Sequence, residues 1–135
     1  MSPKQGLISH IEIYVSNLAK SKEFWGFLLE KYLNYTKFQE WDKGISWKLD
    51  ETYIVFVQTQ DKYLDISYHR SRTGLNHLAF HIDTKDQLDA IVHELEMRGQ
   101  KILYNDRFRK EETDDPYSIF FEDPDRIKVE LVVPS

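Results

Sequence analysis

The chain contains no cysteine. Disulfides and thiolate ligands are therefore excluded, and a metal site would have to be built from His, Asp, Glu or backbone oxygen. A basic excess is also missing: 18 Lys and Arg stand against 23 Asp and Glu, a formal net charge of -5. Nucleic acids and anionic membranes are bound through basic faces, so neither is expected as a partner. No apolar run approaches the roughly 20 residues that span a bilayer. The opening residues "MSPKQGLISH" carry no apolar stretch of the signal-peptide kind. The expectation from these absences is a cytoplasmic protein.

What is present is an ordinary globular composition: 135 residues, 41% hydrophobic and 14% aromatic. That length fits one domain or two tightly fused halves with a real core. The halves share a rhythm. "HIEIYVSNLAKSKEFW" from His10 and "HLAFHIDTKDQLDAIV" from His77 each open with a histidine on an alternating strand. Each strand meets a polar break, Ser16-Asn17 or Asp83-Thr84, which offers N-caps for an amphipathic helix. The first helix places Leu18, Phe24, Trp25, Phe27, Leu28 and Tyr32 near one stripe; the second places Leu88, Ile91, Val92, Leu95 and Met97. Gly99 fits a C-cap for the second helix. Three strand candidates follow in each half: "YTKFQEW", "ISWKLD" and "TYIVFVQT", then "KILYN", "YSIFFED" and "IKVELVV". The expected fold is α+β, two βαβββ modules forming a cupped mixed sheet. Residues 1–60 make the first module, 61–74 a polar linker and 75–135 the second. "NDRFRKEETDDP" between the strands of the second module reads as a charged, solvent-exposed loop.

Strand periodicity assigns faces. Ile11, Ile13 and Val15 go under the first helix, leaving His10, Glu12 and Tyr14 opposite. Leu78, Phe80 and Ile82 go under the second, leaving His77, Ala79 and His81. In the last strand Glu130 shares its face with Lys128 and Val132. Two histidines and a glutamate from three strands can form a 2-His-1-carboxylate site suited to a divalent metal with open positions. The plainer alternative is a pair of hydrogen-bonded strand histidines and a solvent-facing glutamate.

"SHIEIYVSNLAKSKEFW", "LNHLAFHI" and "FFEDPDRIKVELV", within the βαβββ repeat, resemble the vicinal oxygen chelate superfamily over Leu7 to Pro134. That group holds glyoxalases, fosfomycin-resistance thiol transferases, extradiol dioxygenases and bleomycin-binding proteins. The resemblance implies two modules around one divalent metal (Fe, Mn, Zn or Ni), with His10, His77 and Glu130 as ligands. It implies a metal that chelates two neighbouring oxygens of a small oxygen-rich or aromatic substrate as a Lewis acid, or an iron that binds a catecholate and dioxygen. Glu12, His81 and Tyr117 are the candidate acid-base or substrate-orienting groups, and a homodimer is expected. Glyoxalases add a fourth, carboxylate ligand on the last strand of the first module. Alignment of "TYIVFVQTQ" with "RIKVELVVP" puts Phe56 opposite Glu130, with Gln58 further along that face, so a four-ligand site is disfavoured. Arg107, Arg109 and Lys110 are available for an anionic substrate, and Arg126 replaces the usual glycine after Asp-Pro-Asp. The alternative within the superfamily is a metal-free protein that sequesters a small molecule, as bleomycin-binding members do.

Overall fold

The computed structural model describes residues 4–104 and 117–134. Contacts divide the chain into two compact units, Met1–Ser67 and Tyr68–Ser135. The division falls inside the expected linker. Its last residues are tied to the second unit: the Tyr68 hydroxyl donates to the Leu75 carbonyl at 2.8 Å, and the Arg70 guanidinium donates to Glu122.

The first unit runs β1 (His10–Val15), α1 (Leu18–Gly26), β2 (Thr36–Trp41), β3 (Gly44–Leu49) and β4 (Thr52–Gln58). The sheet order is β1-β4-β3-β2, with β1 parallel to β4 and the remaining pairs antiparallel. Asn17 caps α1, its side chain accepting from the Lys20 amide at 3.2 Å. The helix then widens into a π-helix over Phe27–Tyr32. A wider turn puts consecutive side chains on the inner side, and Phe27, Leu28 and Leu29 are all buried. The core is aromatic. Phe56 is fully buried, its ring 4.9 Å from that of Trp25 and 5.8 Å from that of Trp47. Burying one such side chain contributes about 1.5–3 kcal/mol, so Trp25, Trp47 and Phe56 hold α1 to the sheet. Trp41 lays its ring over Gly44 at the β2–β3 turn; any Cβ there would collide with the indole.

The second unit runs β5 (His77–His81), α2 (Lys85–Met97), β6 (Tyr117–Glu122) and β7 (Lys128–Val133). Its sheet order is β5-β7-β6, with β5 parallel and β6 antiparallel to the central β7. Thr84 and Gln87 form a reciprocal capping box at the start of α2. Gly99, at φ +83°, ends it in the left-handed region where a glycine is favoured. Leu88, Ile91 and Leu95 are buried from α2, and Ile119, Phe121, Val129 and Leu131 from the sheet. Of the expected strand "KILYN", the described residues 101–104 form one bridge, Leu103 to Phe120. Tyr104 sits at φ +53°, a left-handed conformation that ends an extended run. Arg107, Arg109 and Lys110 lie outside the described residues.

Each unit is thus a mixed sheet with helix on one face, the α+β architecture expected from the repeat. Among the described residues no helix is long and apolar enough to cross a membrane.

Candidate functional site

The strand phases divide each sheet as the alternation requires. In β1, Ile13 and Val15 are buried, whereas His10, Glu12 and Tyr14 are exposed; Ile11 is only partly covered, at 37% exposure. In β7, Val129, Leu131 and Val133 are buried beneath α2, and Lys128, Glu130 and Val132 occupy the other face. Glu130 is paired with Ala79 and with Phe120, so His77, Ala79 and His81 of β5 and Ser118, Phe120 and Glu122 of β6 share its face.

On that face His77 Nε2 lies 3.0 Å from Glu130 Oε1. Both side chains are part-buried, 34% and 18% exposed. The second ring nitrogen, Nδ1, is 2.8 Å from Asn76 Oδ1. Phe120 meets the imidazole edge-on, ring centres 5.9 Å apart. Ala79 keeps the space beside Glu130 small and apolar. Lys128 holds its ammonium over the rings of Phe120 and Tyr104, 5.2 and 5.4 Å from their centres. Phe120 and Tyr104 are neighbours of the pair to which the sequence pattern gave no role, and Lys128 was placed on Glu130's face without one. The signal for Lys128 was available, since it shares Glu130's phase.

In the first unit the exposed face of β1 carries His10. Its ring stacks on Tyr53 at 4.4 Å and 5°, and its Nδ1 is 3.0 Å from Ser9 Oγ. Phe38 flanks Tyr53 on a tilted plane at 5.1 Å. His10 is paired with Tyr53 as His77 is paired with Lys128. Two residues on, Glu12 pairs with Val55 as Ala79 pairs with Glu130. Val55, not Phe56, is therefore the first-unit counterpart of Glu130. Phe56 is on the core side, and the expected alignment was out by one residue, which in a strand exchanges faces. Valine, like phenylalanine, offers a metal no donor atom. Gln58 fastens the start of α1 instead. Its carbonyl oxygen accepts from the Leu18 amide at 2.9 Å, and its amide donates to the Ser16 carbonyl at 2.9 Å.

Tyr117 is not on the His77–Glu130 face. It has the phase of buried Ile119 and Phe121, and Lys85 at the start of α2 sits over its ring at 5.0 Å. His81 has the right phase and is exposed. Glu12 is exposed on β1.

Two features stabilise the surroundings of His77. Glu122 accepts from Arg70 and, at 3.3 Å, from Arg126 Nε. The hydrogen bond from Arg70 to Glu122 raises the arginine pKa above its ordinary value. Burial, then the nearby Asp123 charge, raise that of Tyr68, which keeps its hydroxyl a donor to Leu75. Arg126 occupies the left-handed region at φ +67°, the conformation that the usual glycine would supply.

The donor set fits a divalent ion in kind: a ring nitrogen and a carboxylate oxygen on one rigid sheet face, with the ring's other nitrogen already engaged. Among the described residues neither unit by itself gathers three His, Asp or Glu side chains into a metal-holding group. The second unit brings two such side chains together, His77 and Glu130.

The chain is 52% identical over 126 residues to uncharacterized protein YqjT of Bacillus subtilis (strain 168), covering 93% of this chain and 98% of that one. A crystal structure from Bacillus halodurans, carrying a provisional glyoxalase name, matches with a TM-score of 0.92 at 46% identity, over 97% of this chain and 98% of that one. The fosfomycin resistance protein FosX from Listeria monocytogenes, crystallised with Mn(II) and sulfate, shares the fold at a TM-score of 0.69 and 21% identity, over 96% and 91% of the two chains. The family model for the Glyoxalase/Bleomycin resistance protein/Dioxygenase superfamily matches residues 7–131, and the chain belongs to that superfamily.

Proposed function

We propose that this protein is a metal-dependent enzyme that binds one divalent ion through His10, His77 and Glu130 and acts on a small oxygen-rich or aromatic molecule. The observation that carries the reading is the 3.0 Å approach of His77 Nε2 and Glu130 Oε1 on the face turned away from the core. His10 is the third ligand because it holds, on β1, the repeat position that His77 holds on β5. The Mn(II) bound by FosX supports a divalent ion in this fold. Fe, Mn, Zn and Ni all suit imidazole and carboxylate.

When bound, such an ion supplies Lewis acidity to two neighbouring substrate oxygens. The chain's own groups do the rest. Lys128 offers a positive charge beside Glu130 to an anionic substrate oxygen, and Phe120 and Tyr104 offer aromatic surface. Glu12 and His81, exposed on the strands that carry His10 and His77, are the groups that take or give a proton. Val55 stands where a fourth ligand would be, which favours a lyase, thiol transferase or dioxygenase over a four-ligand glyoxalase. The working form is a cytoplasmic homodimer.

Elemental mass spectrometry on untagged protein, purified without chelator, tests this. About one metal per chain is expected, and His77→Ala and Glu130→Ala should each lose it, as removal of one of three ligands from an open site predicts. Wild-type protein that takes up no metal after anaerobic addition of Fe, Mn, Zn and Ni would sink the enzyme reading. A metal-free small-molecule-binding protein would take its place.

A further inference from the structure

We propose that the first unit carries a second binding site, for a small zwitterion with a flat apolar body, an amino-acid-like molecule held by Lys43, Asp61 and Tyr14. A cavity of about 420 Å³ opens at the C-terminal ends of the parallel strands β1 and β4. That volume is within the range of sites that take small molecules. Its floor is Tyr14 and Val57, register partners on the face turned away from the core. Tyr14 is 54% exposed, so its ring is open to a flat ligand. Lys43 lines the cavity from the β2–β3 turn, and Asp61 from the segment that follows β4. Tyr14 shares its face with His10 but stands four residues further along β1, about 13 Å at the rise of a strand, so the cavity is distinct from the place proposed for the metal.

Lys43 and Asp61 line the same cavity without pairing with each other. Among the described residues the Lys43 ammonium, the Asp61 carboxylate and the Tyr14 hydroxyl have no hydrogen-bond or ion-pair partner. Other lysines of this unit do reach a carboxylate: Lys22 and Lys37 both meet Glu40, and Lys4 meets Glu51. An unpaired cation and an unpaired anion beside an apolar floor match a ligand that carries both a carboxylate and an ammonium, and disfavour a molecule with only one of the two. The walls are in place beforehand. The Gln58 backbone amide donates to the Lys43 carbonyl and the Thr59 amide to the Val15 carbonyl, both at 2.8 Å. The Gln58 side chain, bonded to Ser16, Leu18 and Thr59, holds the exit of β4 against the start of α1. Binding then has little of the protein to order.

Nitrogen–proton correlation NMR of the full chain, titrated with L-phenylalanine, tests this. The backbone amides of Tyr14, Val57 and Thr59 should shift together along one saturating curve. Phenylpropionate lacks the ammonium and phenethylamine lacks the carboxylate; each should bind about 2–5-fold more weakly, the range that a part-solvated charge pair supplies. Lys43→Ala should weaken phenylalanine by a similar factor and leave phenethylamine unchanged. Asp61→Ala should weaken phenylalanine and leave phenylpropionate unchanged. Tyr14→Ala should weaken all three compounds alike. The Lys43, Asp61 and Tyr14 side chains are exposed, so the variants keep the fold, and the same spectra verify it. Amides that do not shift, or that shift only away from the cavity, overturn the proposal. So does an equal loss for all three compounds in Lys43→Ala or Asp61→Ala. Neither result bears on metal uptake, for which none of these residues is proposed.

Discussion

The turn between β6 and β7 offers the sharpest test of how the second unit is held together. Asp123 is 4% exposed. Its Oδ1 accepts from the backbone amides of Asp125 and Ile127, both at 2.8 Å. The turn is closed further by the Arg126 amide on the Asp123 carbonyl and the Asp123 amide on the Ile127 carbonyl, both at 2.9 Å. Replacing Asp123 with alanine leaves two amides without their acceptor. Hydrogen bonds to charged groups contribute about 1.5–3 kcal/mol each. Asp125 is partly solvated and belongs at the low end, while Ile127 is 2% exposed and belongs at the high end. The expected loss is about 3–5 kcal/mol, a large fraction of the roughly 5–15 kcal/mol that stabilises a domain. With a urea slope of about 2 kcal/mol per molar, the unfolding midpoint should drop by about 2 M. Asp123→Asn keeps a side-chain oxygen but makes both hydrogen bonds neutral, worth about 0.5–1.5 kcal/mol each, so it should lose only about 2 kcal/mol. Circular dichroism against urea measures both. An alanine variant within about 1 kcal/mol of wild type at unchanged slope, or an asparagine variant as damaged as alanine, would refute the assignment of stability to these two bonds.

Two further outcomes are expected. Phe56→Ala should destabilise the first unit by about 3–5 kcal/mol; because Phe56 touches Trp25 and Trp47, tryptophan fluorescence against urea reports the change, and a loss under about 1 kcal/mol would contradict the packing. Hydrogen bonds from Lys22 at 2.9 Å and Lys37 at 3.2 Å hold the Glu40 carboxyl below its ordinary range. A folded-state pKa lowered in this way gives stability that is present above the unfolded value and is lost as pH falls through the folded one. Carbon NMR titration should find Glu40 depressed in wild type and moved upward in Lys22→Ala; an unmoved curve would exclude Lys22 as the main cause.

The phases of β1, β5 and β7 were legible in the sequence because polar and apolar residues alternate there. "HIEIYV" and "KVELVV" place His10 and Glu130 off the core without any knowledge of the fold. The errors fall where alternation fails. "YIVFV" and "SIFF" are apolar on both faces, so nothing local distinguishes Val55 from Phe56, or the side of Tyr117 from that of Phe120. Sheet register settles both. The π-helix at Phe27–Tyr32 was illegible for a similar reason: Phe27, Leu28 and Leu29 fit a helical stripe only after the turn widens.

The position of β7 has a consequence for the order of events during synthesis. It is the middle strand of its sheet, hydrogen-bonded to β5 on one side and β6 on the other. Strands β5 and β6 have no ladder with each other in that order, so neither can be zipped into place beforehand. The second sheet therefore closes only after residues 128–133 have left the ribosome, late and over a long loop, the kind of non-local closure that slows folding. In the first unit β4 plays the corresponding part between β1 and β3, and it emerges much earlier. A nascent chain should accordingly hold a folded first unit while β5 and α2 still wait for the strand that carries Glu130, a delay during which their apolar faces are exposed to chaperones.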